Sequence, residues 1–231
     1  MIVIRYGLIS LLFIMSFLRS EILAQDWADL QRFKEENIRL GQPRPGEKRV
    51  VFMGNSITEG WSDHMPEFFT GKPYVNRGIS GQTTPQMLLR FRQDVIELKP
   101  KVVVILAGTN DLAGNTGPAT VEEIFGNICS MAELAETNHI NVVISAVLPV
   151  EDYPWRPGLE PASKINALNL LLKNYALAHD HVFLDYYQAM VNEKQGLQAE
   201  LTYDGVHPNR NGYLVMAKLA EVAIEAARVK Y

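Results

Sequence analysis

Lys101-Val102-Val103-Val104-Ile105-Leu106-Ala107-Gly108-Thr109-Asn110-Asp111 is the stretch from which the fold follows. Its first six residues are apolar almost throughout, with no alternation. A strand can carry that pattern only where both of its faces are covered, as in the centre of a parallel sheet. The run then breaks into a glycine and small polar residues. Working outward, Val50-Val51-Phe52-Met53 is a second such strand and ends in Gly54-Asn55-Ser56-Ile57-Thr58. Strands are also expected at Pro73-Tyr74-Val75-Asn76, leaving through Arg77-Gly78-Ile79-Ser80-Gly81, at Val142 to Val147, and at His181 to Leu184.

Helical patterns fill the intervals. Trp27, Leu30, Phe33 and Ile38 recur at helical spacing, so a lead-in helix is expected from Trp27 to Leu40. Thr83 or Thr84 can cap a helix with Pro85 in its first turn and an apolar face of Met87, Leu88, Phe91, Val95 and Leu98. Thr120-Val121-Glu122-Glu123 has the form of a capping box opening a helix to about Thr137. Ser163 to Ala178 and Asn209 to Val229 read as the last two helices. Strand and helix alternating about five times imply one α/β domain, a parallel sheet covered on both faces.

Met1 to Leu18 carries an early Arg5 and then an apolar run, and the small residue Ala24 precedes Gln25. That order is the one of a secretory signal peptide. The expected division is residues 1–24 as leader and 25–231 as a single domain, exported to a bacterial periplasm or cell exterior. The formal charge of −4 does not favour nucleic acid or an anionic membrane surface as partner. Cys129 is the only cysteine, which excludes an intrachain disulfide and a thiolate metal cluster.

Parallel strands end on one edge, so Ser56, Gly78 and Asn110 can converge there although they are far apart in sequence. Asp204 and His207 lie three apart in Tyr203-Asp204-Gly205-Val206-His207-Pro208-Asn209, just before the closing helix. Each segment alone has a plainer reading: Ser56 as a helix cap, Asn110 in an Asx turn, Asp204 and His207 as a cap and a surface imidazole. Together they make a chemical set. A serine hydroxyl becomes a nucleophile when a histidine takes its proton, and a carboxylate fixes the histidine tautomer. Backbone N–H groups near Ser56 and Gly78 and the Asn110 amide could then meet the oxyanion.

The segments Gly54-Asn55-Ser56-Ile57, Arg77-Gly78-Ile79-Ser80-Gly81, Gly108-Thr109-Asn110-Asp111 and Asp204-Gly205-Val206-His207-Pro208 resemble, in order, the four blocks of the SGNH hydrolases, also called GDSL esterases and lipases. The resemblance implies Ser56 as nucleophile, Ser56, Gly78 and Asn110 as the oxyanion hole, His207 as base and Asp204 as its orienting acid. It also implies a flavodoxin-like three-layer α/β/α sandwich on a mainly five-stranded parallel sheet, with no metal or organic cofactor. Asn55 departs from the aspartate usual in the first block. The Gly-Asn-Ser-Ile and Asn-Arg-Gly-Ile-Ser-Gly forms are most similar to the branch holding platelet-activating-factor acetylhydrolase-like proteins and bacterial carbohydrate acetylesterases. An α/β-hydrolase elbow is disfavoured, because Thr58 stands where its second glycine would be.

Candidate substrate contacts are Asn55, His64, Tyr153, Trp155 and Arg156. The aromatic rings in Asp152-Tyr153-Pro154-Trp155-Arg156-Pro157-Gly158 could stack on a sugar, and Arg156 could meet a carboxylate; the other reading is a proline-stiffened surface loop. His139, His179 and His181 read as solvated or capping residues, and Cys129 as core. The expected function is removal of short acyl groups, acetyl above all, from carbohydrate hydroxyls. The alternatives are a lysophospholipase or thioesterase acting on lipid acyl chains, and a glycan-binding protein without turnover.

Overall fold

The computed structural model describes residues 26–229. The expected leader therefore lies outside the described residues. Five strands, β1 Val50–Gly54, β2 Tyr74–Gly78, β3 Val102–Leu106, β4 Asn141–Ser145 and β5 Val182–Leu184, form one sheet in the order β2-β1-β3-β4-β5. Every pairing is parallel. Among the described residues the helices are α1 Lys34–Leu40, α2 Ser56–Glu59, α3 Trp61–His64, α4 Thr84–Asp94, α5 Thr109–Leu112, α6 Val121–Thr137, α7 Ala162–Ala178, α8 Tyr186–Met190 and α9 Arg210–Arg228.

The unalternating strands bury side chains on both faces, and this makes two cores. Val51, Met53, Val103, Ile105, Val142 and Ile144 pack with α4, α6 and α7. Val50, Phe52, Val102, Val104 and Val143 face the other way, onto Trp61, Tyr186 and the apolar stripe of α9 from Tyr213 to Ala227. The result is the three-layer, flavodoxin-like sandwich. Because β2 adds on one side of β1 and β3 on the other, the chain reverses its direction of sheet growth between β1 and β3. The crevice beyond the strand ends at such a switch is where ligands bind in open α/β sheets.

Several boundaries differ from the sequence pattern. The helix expected from Trp27 is confined to Lys34–Leu40. Residues 26–33 are turns instead, held by the Asp26 carboxylate accepting from the Leu30 and Gln31 N–H groups. The helix expected to reach Leu98 stops at Asp94, and a 3-10 turn covers Ile96–Leu98. The strand expected to reach Val147 ends at Ser145, because the Asn169 side chain takes both Val147 backbone groups, at 2.7 and 3.0 Å.

Candidate active site

Gly54 ends β1 where an added Cβ would stand 2.0 Å from Thr58 Oγ1, so glycine alone lets the chain turn there. Asn55 follows, 1% exposed, and its side-chain oxygen accepts the Ile57 N–H at 3.1 Å. That cap starts α2 at Ser56, whose own N–H is taken by no acceptor among the described residues. The α9 end of the site is tied on by Tyr213, whose buried hydroxyl donates to Ile57 O at 2.9 Å.

Ser56 Oγ lies 2.9 Å from His207 Nε2, and His207 Nδ1 lies 2.6 Å from Asp204 Oδ2. With the ring proton on Nδ1 donating to Asp204, Nε2 is left to accept from the serine hydroxyl. The turn holding the pair is closed locally: Thr202 Oγ1 donates to His207 O at 2.6 Å, and Gly205 takes φ +86. Burial by itself would raise the Asp204 pKa, but the N–H groups of His207 and Val206 and the imidazole all donate to the carboxylate. Their sum keeps it below the ordinary value, and the group is charged.

Asn110 sits in the first turn of α5, behind Gly108 at φ +119. Its Nδ2 donates one hydrogen to Gln82 O at 2.9 Å and retains a second. Its neighbour Asp111 caps α4, accepting Thr84 N–H at 2.9 and 3.1 Å and Thr84 Oγ1 at 2.5 Å. Burial nevertheless pushes the Asp111 carboxyl up to about 6.

Gly78 is not placed as expected for an oxyanion donor. Its N–H donates to Asn76 Oδ1 at 2.9 Å and is already occupied. Glycine is needed there for space, since a Cβ would meet Glu59 N at 2.1 Å and Asn55 O at 2.7 Å. In the same block, the N–H of Gly81, at φ +77, meets no acceptor among the described residues. Asn115 Nδ2 holds its carbonyl at 3.1 Å, and the next carbonyl, Gln82, holds Asn110. Both glycines stand in one sequence block, and nothing local distinguishes them.

The expected substrate contacts divide. Asn55 and Tyr153 are corrected: the first is spent on the α2 cap, and the second is 0% exposed with its hydroxyl 3.1 Å from Thr109 Oγ1. Arg156 is exposed, and its Nη1 donates to Ala113 O and Gly114 O at 2.8 and 2.9 Å and pins that loop. Trp155 remains 45% exposed with its ring 6.0 Å from the His207 ring. His64 lines the cleft with Ser56 and His207, stacked on Tyr213 at 5.6 Å. Sequence reading missed Tyr203, 61% exposed and parallel to the His207 ring within 9° at 5.7 Å.

The cleft around Ser56 measures about 520 Å³, and its far wall comes from the N-terminal segment through Arg32, Phe33 and Glu36. Arg32 donates to Glu59 at 3.2 Å, and Glu59 in turn holds the Ser80 N–H at 2.8 Å. A second hollow, of about 310 Å³, lies beyond the amino-terminal ends of β4 and β5, where His139 and His181 are found. Cys129 is buried on α6, and burial raises its thiol to about 11. No three His, Cys, Asp or Glu side chains among the described residues are grouped to hold a metal ion.

Residues 52–215 match the model of the GDSL-like lipase/acylhydrolase family. The rat platelet-activating factor acetylhydrolase IB subunit alpha1 is 30% identical over 173 residues, 72% of this chain and 71% of that protein. A GDSL-like lipase of Bacteroides thetaiotaomicron VPI-5482 is 51% identical, with a TM-score of 0.84 over 87% of this chain and 98% of its own. The acetyl xylan esterase AlAXEase shares the fold at 20% identity, with a TM-score of 0.64 over 76% of this chain and 98% of its own. The family match spans the strand exits that carry Ser56, Gly78 and Asn110 and the turn that carries Asp204 and His207, and the chain belongs to the GDSL-like lipase/acylhydrolase family of ester hydrolases.

Proposed function

We propose that the protein is an exported serine esterase that removes acetyl groups from carbohydrate hydroxyls. The observation that carries the mechanism is the line Ser56 Oγ, His207 Nε2, His207 Nδ1, Asp204 Oδ2, with steps of 2.9 and 2.6 Å, in the crevice between β1 and β3. His207 takes the Ser56 proton as Oγ attacks the ester carbonyl. The oxyanion is met by the Ser56 N–H, the second Asn110 Nδ2 hydrogen and the Gly81 N–H. The tetrahedral adduct collapses, the sugar alcohol leaves with the proton from His207, and the acetyl group stays on Ser56. Water then enters, gives its proton to the same imidazole and releases acetate.

The choice of alcohol rests on the two exposed rings, Trp155 and Tyr203, both within 6.0 Å of the His207 ring, where a sugar face can stack. The choice of acyl group is supported by names that carry acetyl among the relatives, the rat acetylhydrolase and the acetyl xylan esterase. Export is supported by the apolar leader ahead of Ala24. The test is deacetylation of a panel of acetylated glycans, followed by mass spectrometry, with purified Ser56→Ala as control. Hydrolysis of an aryl acetate by that variant at the wild-type rate would remove the assignment. The match to a lipase/acylhydrolase family also supports a second reading, a lipid-directed acyl hydrolase, and an activity maximum near eight acyl carbons rather than two would select it.

A further inference from the structure

Arg90 is 0% exposed, and its hydrogen bonds go to none of the proposed oxyanion donors. From α4 its Nη2 donates to Gly54 O at 3.0 Å and to Arg77 O at 2.9 Å. Its Nε donates to Gln82 Oε1 at 2.6 Å, and its Nη1 to Asp94 Oδ2 at 3.1 Å. Gly54 stands two residues before Ser56, and Arg77 is the penultimate residue of β2. Gln82 follows Gly81, and its carbonyl orients the Asn110 amide. One planar guanidinium thus holds the end of β1, the end of β2 and, through Gln82, the loop after β2 that carries Gly81 and orients Asn110. The Gln82 carboxamide is itself fixed from the other side, donating through Nε2 to Ala28 O at 2.8 Å.

A buried ion pair such as Arg90 with Asp94 adds little stability over well-packed apolar side chains, because desolvation consumes most of the Coulomb gain. Burial correspondingly pulls the guanidinium below its ordinary range against the opposing pull of Asp94. What such a group supplies is direction: a rigid fork of donors holds several backbone segments in one fixed relation. Oxyanion stabilisation requires that relation, since donors must already point to where charge will appear.

We infer that Arg90 and Gln82 are positioning residues that set the separation between the Ser56 N–H on one side and the Gly81 N–H and Asn110 amide on the other. The inference rests on the oxyanion assignment made under the proposed function. Gln82 is the residue to vary, because removing its side chain leaves the Arg90 and Asp94 pair intact. In Gln82→Ala, kcat for p-nitrophenyl acetate falls about tenfold, a fraction of the loss for deleting a donor, with KM within about twofold of wild type. The inhibition constant of an aryl trifluoromethyl ketone, which forms a tetrahedral oxyanion on a serine, rises by a similar factor. Gln82→Glu keeps an acceptor for Arg90 but loses the donor to Ala28 O, and it restores most of both parameters.

Folded Gln82→Ala with the kcat and ketone affinity of wild type would overturn the inference. So would equal losses in Gln82→Ala and Gln82→Glu, which would place the effect at Ala28. Wild-type turnover that does not depend on Ser56 would instead defeat the esterase reading, and the Ser56→Ala control reports it separately.

Discussion

Asn55 Oδ1 accepts the Ile57 N–H at 3.1 Å, and this bond is the work of the residue that replaces the usual aspartate beside Ser56. Aspartate and asparagine serve a helix start equally well, so the cap does not require a charge. Asn55→Asp therefore keeps its urea midpoint and its kcat close to wild type. Asn55→Ala loses about 1 kcal/mol of stability and also slows turnover, since the cap aims the Ser56 N–H. A urea titration and initial rates on an aryl acetate check both.

Asp204 holds His207 through the imidazole and through its backbone N–H, at 2.6 and 2.7 Å. Asp204→Asn keeps the shape but can present an amide hydrogen to Nδ1, favouring the tautomer with the proton on Nε2. The expected kcat loss is on the order of 10³ to 10⁴, with the fold intact by circular dichroism.

The two glycines of the second block respond differently. Gly78→Ala drives a Cβ into the Glu59 and Asn55 backbone and costs about 3 kcal/mol, read as a lower melting temperature and poor soluble yield. Gly81→Ala meets no atom within 4 Å and pays only the left-handed strain of about 1–2 kcal/mol. Its chief effect is a reduced kcat, because relief of that strain turns the Gly81 N–H away. Normal kcat in Gly81→Ala would remove the residue from the oxyanion site.

Tyr203→Ala and Trp155→Ala take away the exposed rings near His207. On an acetylated oligosaccharide KM rises about tenfold for each, the loss expected of a stacking contact of about 1–1.5 kcal/mol. On p-nitrophenyl acetate, which has no sugar ring to stack, the same variants stay within about threefold. Equal effects on both substrates would contradict a sugar platform.

Asp111 gives the stability curve a distinctive slope. Its carboxyl titrates at about 6 when folded and near 3.8 when unfolded. Between those values the folded protein holds a proton that the unfolded chain has released, so this group's contribution falls as pH rises through the window, by about 3 kcal/mol in all. Urea midpoints of wild type and Asp111→Asn, compared from pH 4 to 7, isolate that slope. A difference independent of pH would contradict it.

The sheet was readable because Val102 to Leu106 and Val50 to Met53 are buried on both faces, and an unalternating apolar run has few other uses. The N-terminal segment misleads for the opposite reason. Trp27, Leu30 and Phe33 fall at helical spacing, yet the carbonyls at 27, 28 and 30 accept from Gln86, Gln82 and Gln93, bonds across more than fifty residues that no local pattern carries. Tyr153 looks like a surface residue by composition and proline content, and only its burial against Thr109 reveals an anchor. Asn55 was legible in principle, since a side chain accepting two residues ahead is a local motif.

Ser56 and His207 are separated by 151 residues, and in the proposed mechanism the bond between them is the one on which the chemistry turns. During synthesis Ser56 emerges early and His207 late. On that mechanism Ser56 stays an ordinary alcohol until the turn bearing His207 reaches it, beside the contact of Tyr213 with Ile57 O. On the proposed mechanism the chain carries its own safety catch, a serine armed only by the completion of the fold.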